Sequence, residues 1–537
     1  VWRRVAAAEQ ALDEHGAPDL EAANAALVRL KDAAWALQRD RLRTARLVGE
    51  LAGPGAGEAA IAAYTSVQVA LSALDRLEVR GRDSAGLHLL VRDHGLDVES
   101  SGVRSMLEGR LGDALFRSGS VRVVGDSLSF VYKAAAEIGE LGDNTRAMRA
   151  AIADDEVLRL ALASPTAETT VVGHTRWASV GIISQANAHP LNSEEEGRPA
   201  TADPAPYVIG ALNGDVDNHA DLKAADGLRV AAEITTDAKV IPTLVSRRLA
   251  DGTDLAESFR STVAAFEGSV AIAAHAASDP DRVLLALRGS GQALYVGLAE
   301  DCYVVASEPY GLVEETDRYV RMDGDTPANT ENPTGSRGQV LVLDRRQAGT
   351  TDGIERVAYD GTPLPVTDAD VSVAEITTRD IDRGDHEHFL LKEIGEAPSS
   401  FRKTLRGQLV VADDGELAVR LGDAALPPDV RARLVEGSID RVVAIGQGTA
   451  AVAAQGFAAF LDGFVADLPM RVDALHATEL SGFGMRPDMR DTLVIAISQS
   501  GTTTDTNRTV DIARARGAAV LAIVNRRNSD LTDKADG

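Results

Sequence analysis

The sequence predicts an α+β domain followed by an α/β domain built on a parallel sheet, with a helical segment ahead of both. Three observations lead there. Residues 1–62 carry Ala, Leu, Arg and Glu at helical spacing as far as the breaker run from Gly53 to Gly57, and read as a helical hairpin. Between 63 and 345, short β-rich runs such as TTVVGHTRWA, PYVIGALNG, GSVAIAAHA and DRVLLALRG alternate with helical stretches, the pattern of a layered α+β domain. From 386 onward the order becomes strand, loop, helix, repeated through RVVAIGQG, LPMRVDALHA, DTLVIAISQSG and AAVLAIVN, as in a parallel sheet covered by helices. The polar stretch 346–385 reads as a linker between the two.

Composition narrows the class. At 537 residues and 45% hydrophobic content, the chain is long enough for about three domains, each with a core of its own. No stretch approaches the roughly 20 consecutive apolar residues of a membrane-spanning helix. The lone cysteine, Cys302, excludes an intrachain disulfide framework and a cysteine-based zinc site, which points to a reducing compartment and so to the cytoplasm. It lies in the strand-like run DCYVVASE and is expected to be a small buried hydrophobe. A formal net charge of −26 argues against a nucleic-acid partner, so any phosphate must be held by backbone N–H groups and hydroxyls instead of a basic surface. The start at Val-Trp-Arg-Arg and the stop just after a strand lead to the expectation that both ends of the working protein lie outside this sequence.

The run 491–517 passes from an apolar strand through a Ser/Thr/Gly loop into an amphipathic helix. The loop therefore sits at a helix N-terminus, where unpaired N–H groups and the helix dipole favour an anion. Ser498, Ser500 and Thr503 add hydroxyls, and Gly501 lets the backbone come close. The plainer alternative is an ordinary Ser/Thr cap. A second loop, Gly446-Gln447-Gly448-Thr449, repeats the layout in a neighbouring βα unit, so the two loops converge at the carboxyl ends of parallel strands.

Here the sequence resembles sugar-isomerase (SIS) domains: SQSGTTTDT, 498–506, is similar to the family's SQSGETADT, and HFLLKEIGEAP, 388–398, to its entry segment. The resemblance implies that Thr449, Ser498, Gln499, Ser500 and Thr503 bind a sugar phosphate. Gln447 and Thr502 depart from the family pattern.

In the preceding domain, GHTRWASVGIISQANAHP, 173–190, places Arg176 where its guanidinium can fork a carboxylate. Asn213-Gly214 follows an apolar run and Asp237 precedes a helix. Taken singly, these read as a hairpin turn and an N-cap, and His189 as a surface histidine. Taken in order, RLEVRGRDSAGL (76–87), GHTRWAS, NAHP, LNGDVDNH (212–219) and TTDAK (235–239) resemble the class II glutamine amidotransferase domain, a four-layer sandwich of the N-terminal nucleophile hydrolase type. The resemblance covers about residues 65–537 and is to glutamine-dependent sugar-phosphate aminotransferases of the glucosamine-6-phosphate synthase kind.

That resemblance implies that Arg176 holds the α-carboxylate of glutamine and Asp237 its α-amino group. It also implies that Asn213 and the N–H of Gly214 form the oxyanion hole, that Ser179 and His189 line the pocket, and that Trp177 gates ammonia. The family's nucleophile is an N-terminal cysteine; none of the motifs here supplies it. Arg82 replaces a family tyrosine, and residues 1–60 with much of 104–165 read as helical insertions. The implied reaction converts fructose 6-phosphate and glutamine to glucosamine 6-phosphate, with no metal or redox cofactor and with a homodimer as the assembly. A SIS-type deglycase, or a sugar-phosphate sensor with an idle glutaminase domain, stays open as an alternative.

Overall fold

Alternation along two long strands sets the first domain's layers. In the strand Ser84–Arg92, Leu87, Leu89 and Val91 share one buried face, and in Ser127–Ala135, Leu128, Phe130 and Tyr132 do the same. These strands pair antiparallel, with Val121–Val124 and Glu168–Arg176 on the flanks, in a four-stranded sheet. Helices Thr44–Ala52, Glu58–Leu77, Asp143–Ala153 and Glu156–Leu162 cover that face and share one core with it.

A second, six-stranded sheet centres on Val208–Gly214, Val270–Ala276 and Asp279–Arg288. Its outer face, carrying Ile272, Ala274, Leu284 and Ala286, packs on the helices Val240–Ala250 and Leu255–Ala264. The inner faces of the two sheets meet through Val131, Tyr207 and Ile209. The order of layers is helices, sheet, sheet, helices, the four-layer sandwich that the family resemblance implies.

The structure, a computed structural model, describes all residues other than 16–19, 136–139, 198–204, 290, 385, 406–407, 413 and 526–528. The chain divides into two compact units, Trp35–Ile381 on one hand and Val1–Ala34 with Asp382–Gly537 on the other. Three expectations change. Residues 346–385 are not merely a linker: Ile354–Ala358 pairs with Gln339–Asp344 in the six-stranded sheet, and Val371–Val373 adds an edge to a third sheet. The stretch 104–165 is not wholly helical either, since it supplies two strands of the first sheet. Residues 1–62 are not a unit of their own: the described ones are helical as far as Ala52, as expected, but Val1–Ala34 falls in one unit and the residues from Trp35 onward in the other.

In the second unit, Arg471–His476, Arg441–Gly446, Thr492–Ser498 and Ala519–Val524 form, in that spatial order, a fully parallel sheet. Val443, Ile445, Val494 and Val520 pack on the helix Thr504–Ala515 from one face. Val442, Ala444, Leu493 and Ile495 pack on Thr449–Phe464 from the other. Burial on both faces explains why these strands read as unbroken apolar runs.

Between the sheets of the first unit lies a polar line. His275 Nε2 is 3.2 Å from His88 Nδ1, His88 Nε2 is 2.8 Å from Ser129 Oγ, and Ser129 Oγ is 2.9 Å from Tyr207 Oη. Burial holds the His275 imidazole down to about 4 and that of His88 well below its ordinary value. With folded pKa values below the unfolded ones, the unfolded chain takes up protons first as pH falls. The stability these histidines support is complete above about pH 6.5 and is lost as pH drops towards 4. Urea unfolding at pH 7 and pH 5 should show about 2 kcal/mol less stability at pH 5 from His275 alone, a loss that His275→Gln should remove.

Candidate functional site

Arg176 closes the Glu168–Arg176 strand opposite Ser84. Its carbonyl accepts the Asp83 amide at 3.1 Å, and Asp83 Oδ2 accepts the Ala178 amide at 2.9 Å, so the chain leaves the sheet in a fixed direction. The Arg176 side chain is only 4% exposed. Its guanidinium donates to the carbonyl oxygens of Val180 and, at 3.3 Å, Ile182. Burial lowers its pKa against the attraction of Asp237 and Asp83, but a guanidinium remains charged in a protein. Among the described residues, those two carbonyls are the guanidinium's hydrogen-bond partners. A buried cation without a carboxylate partner is an arrangement that favours an anion.

Asn213 and Gly214 end the Val208–Gly214 strand, opposite Ala271 and Val270, and are not the hairpin turn their sequence resembles. Gly214 has φ of +115°, and a Cβ there would stand 2.0 Å from the Ser269 carbonyl oxygen, so no other residue fits. Asp237 is not an N-cap: Thr236 precedes the 3₁₀ turn Asp237–Lys239, and Asp237 Oδ2 accepts the Val216 amide at 2.7 Å. Burial raises its pKa, and the charge of Asp215 adds to this. His189 is buried, with Nδ1 3.0 Å from the Leu212 carbonyl oxygen and Nε2 3.1 Å from Thr236 Oγ1. Both ring nitrogens are thus engaged, which makes it a strut between the Asn213 strand and the Asp237 turn. Ser179 donates from Oγ to Asp215 Oδ1 at 2.6 Å. Trp177 is 72% exposed.

The structure therefore brings Arg176, Ser179, His189, Asn213, Gly214 and Asp237 into one constellation. Several supporting residues lay inside the quoted motifs without being singled out. Asn187 Oδ1 accepts the amides of Thr235 and Thr236 at 2.7 and 2.9 Å. Gly86 lets His189 come close, since a Cβ there would fall 2.2 Å from the His189 carbonyl oxygen. Cys302 stands apart in sequence, just ahead of the Tyr303–Ala306 strand of the third sheet. It is exposed and not the buried hydrophobe expected, because the strand begins only after it. Crowding around its sulfur, with Asp301 and Glu315, pushes the thiol up to about 11, the opposite of what a nucleophile needs.

In the second unit, Ser498 ends the Thr492–Ser498 strand and Thr503 occupies the N-cap of the Thr504–Ala515 helix, its side chain making no cap bond. Ser498 Oγ accepts the Gly501 amide at 3.0 Å and lies 3.4 Å from Thr503 Oγ1. Ser500 Oγ accepts the Thr502 amide at 3.2 Å, and Gln499 is exposed. Thr449 opens the next helix, behind Gly448 with φ of +57°. The two strands feeding these loops are hydrogen-bonded neighbours, so both helix N-termini open at the same edge of the sheet. Gln447 Nε2 is bound to Thr478 Oγ1 at 3.3 Å, while its buried Oε1 has no partner among the described residues and offers an acceptor at the loop.

Residues 438–537 match the SIS domain family. The glutamine–fructose-6-phosphate aminotransferase (isomerizing) of Streptomyces coelicolor is 32% identical over 386 residues, 69% of this chain and 53% of that protein. The chain is similar to glutamine–fructose-6-phosphate aminotransferases. The enzyme of the same name from Bacillus thuringiensis subsp. konkukian is 25% identical over 469 residues, 87% of this chain and 62% of that one. The chain thus spans between half and two thirds of the length of these curated relatives. Among solved structures, a glutamine phosphoribosylpyrophosphate amidotransferase from B. subtilis covers 85% of this chain and 78% of its own at 15% identity, with a TM-score of 0.35, too distant to carry an argument. No helix among the described residues is long and apolar enough to cross a membrane.

Two glycines test whether the backbone at these sites is as constrained as it looks. At Gly501, with φ of +69°, a Cβ would stand 2.0 Å from Ser529 Oγ. Gly501→Ala and Gly214→Ala should each lower the stability of their own unit by about 2 kcal/mol or more, read by urea unfolding.

Proposed function

We propose that this chain carries the glutamine-hydrolysing and first sugar-phosphate-binding parts of a glutamine–fructose-6-phosphate aminotransferase. The observation that carries the reading is Arg176, a buried guanidinium whose hydrogen-bond partners among the described residues are two carbonyl oxygens, with the charge of Asp237 acting on it. One cation and one carboxylate, both withdrawn from water, suit the α-carboxylate and α-ammonium of a free amino acid. In this reading, Asn213 and the N–H of Gly214 face the amide end and stabilise the oxyanion as the carbonyl becomes tetrahedral. Donors of that kind contribute about 3 kcal/mol each. Ser179 joins the ligand's polar contacts once the loop opens, His189 fixes the strand bearing Asn213, and Trp177 shields the released ammonia. The high thiol pKa of Cys302 argues against it as the nucleophile, and no other residue of this chain is assigned that part.

The sugar half rests on the paired loops. Fructose 6-phosphate would place its phosphate against the N–H groups and hydroxyls of Ser498, Gln499, Ser500 and Thr503, with Thr449 from the neighbouring loop. Those donors hold a dianion without lysine, in keeping with a net charge of −26. Amination and isomerisation of the ketose then follow on ammonia drawn from glutamine. Pairing of SIS domains into a homodimer is supported by the face of the Thr449–Phe464 helix, where Val452, Phe460 and Phe464 are all exposed, Phe464 by 84%.

Titration calorimetry tests both halves. Arg176→Ala should weaken glutamine binding at least tenfold and leave fructose 6-phosphate untouched; Ser498→Ala should do the reverse. Unchanged glutamine affinity in the first variant would overturn the assignment of the amino-acid site.

A further inference from the structure

The loop after Arg176 is held at three points. The amide of Ala178 donates to Asp83 Oδ2 at 2.9 Å, Ser179 Oγ donates to Asp215 Oδ1 at 2.6 Å, and the amide of Ile182 donates to Thr235 Oγ1 at 3.3 Å. Asp83 and Thr235 belong to the frame of the site, and Asp83 is fixed to the Arg176 carbonyl. The Asp215 contact differs in kind. It is a charge-assisted bond between two side chains, it is the shortest of the three, and Ser179 is exposed. Asp215 itself follows Gly214 directly, and its backbone is pinned by its amide to the Ser269 carbonyl at 3.0 Å. Within the segment so tethered, the Val180 and Ile182 carbonyls occupy the Arg176 guanidinium.

We propose that Asp215 is a positioning residue that latches the 177–182 loop through Ser179, in the arrangement where the loop's own carbonyls occupy Arg176. The inference rests on the amino-acid reading of this site. A ligand carboxylate reaches the guanidinium only by displacing the Val180 and Ile182 carbonyls, so the loop must lift before the pocket fills. Apparent affinity then scales with the fraction of molecules in which it has lifted. The latch sets that fraction, because it is the tether made by two side chains near solvent. Asp215 does not touch the ligand in this scheme. It acts on binding by holding Ser179, and through it the loop that also carries the exposed Trp177.

The test uses the full chain without and with glutamine. In ligand-free protein, hydrogen exchange of the amides at 179–182 should quicken about tenfold in Asp215→Ala, and Trp177 emission should shift with it. Ser179→Ala and the double variant should match Asp215→Ala in exchange, since all three remove one bond. Asp215→Asn keeps an acceptor but loses the charge, so its exchange should fall between wild type and Asp215→Ala. Calorimetry should find glutamine binding about tenfold tighter in Asp215→Ala than in wild type, and intermediate in Asp215→Asn. Unchanged exchange in Asp215→Ala, additive effects in the double variant, or an Asp215→Asn protein that behaves like Asp215→Ala would each overturn the latch. If wild type takes up no glutamine, the amino-acid reading fails, and the exchange measurements on ligand-free protein still decide the latch. A melting curve for each variant separates local loosening from loss of the fold, and the Asp215 backbone bond to Ser269 is untouched by every substitution.

Discussion

A guanidinium withdrawn from water has to be answered by its surroundings, and much of the first unit is arranged around answering Arg176. Desolvation of an ion costs several kcal/mol even after relaxation, and here, among the described residues, two carbonyls and the more distant charges of Asp237 and Asp83 offset it. The strand that ends at Arg176 is locked to Ser84–Arg92. Asp83 fixes both sides of the turn that follows, and Asn187 and His189 hold the Thr235–Asp237 turn against the end of the Asn213 strand. Removing any one of these supports leaves the charge in place and its compensation looser. A site of this type is rigid where it holds the ligand's charges and adjustable only where loop carbonyls stand in for the ligand.

In the proposed reading, the second unit meets an anion by a different route. Its loops offer N–H groups and hydroxyls at two helix N-termini, and among the residues that form them there is no lysine or arginine. A buried cation such as Arg176 is selective because it leaves one arrangement of opposite charge satisfied. A helix terminus is less demanding, since it favours negative charge without fixing its chemistry. If the proposed sugar-phosphate site is right, selectivity for a particular sugar falls to groups around the phosphate, and Gln447 Oε1, without a partner among the described residues, is one such group.

How much of this was legible from the sequence depended on how local each signal is. The parallel sheet was readable because its strands are apolar on both faces; the β-rich runs of the first domain showed a layered α+β arrangement, and its four layers were implied only by the family resemblance. Asn213-Gly214 and Asp237 were ambiguous alone, since a turn and an N-cap use the same residue types; only their order along the chain separated the readings. Asp215, Asn187 and Gly86 act through partners about 36, 48 and 103 residues away, Ser179, Thr235 and His189, and no local pattern announces such pairs. The strands Ile354–Ala358 and Val371–Val373 read as linker in the sequence because they are short, polar edge elements whose pairing is set by the sheets they join. Cys302 looked buried because it abuts an apolar run, while the strand that buries that run starts one residue later.

The most direct test of the account is a crystal structure of the protein with glutamine, or unreactive glutamate, bound. The account predicts the ligand's α-carboxylate on Arg176, with the Val180 and Ile182 carbonyls displaced from the guanidinium, and its α-ammonium on Asp237. A ligand bound elsewhere, or a saturated crystal in which Arg176 keeps both carbonyls, would contradict it.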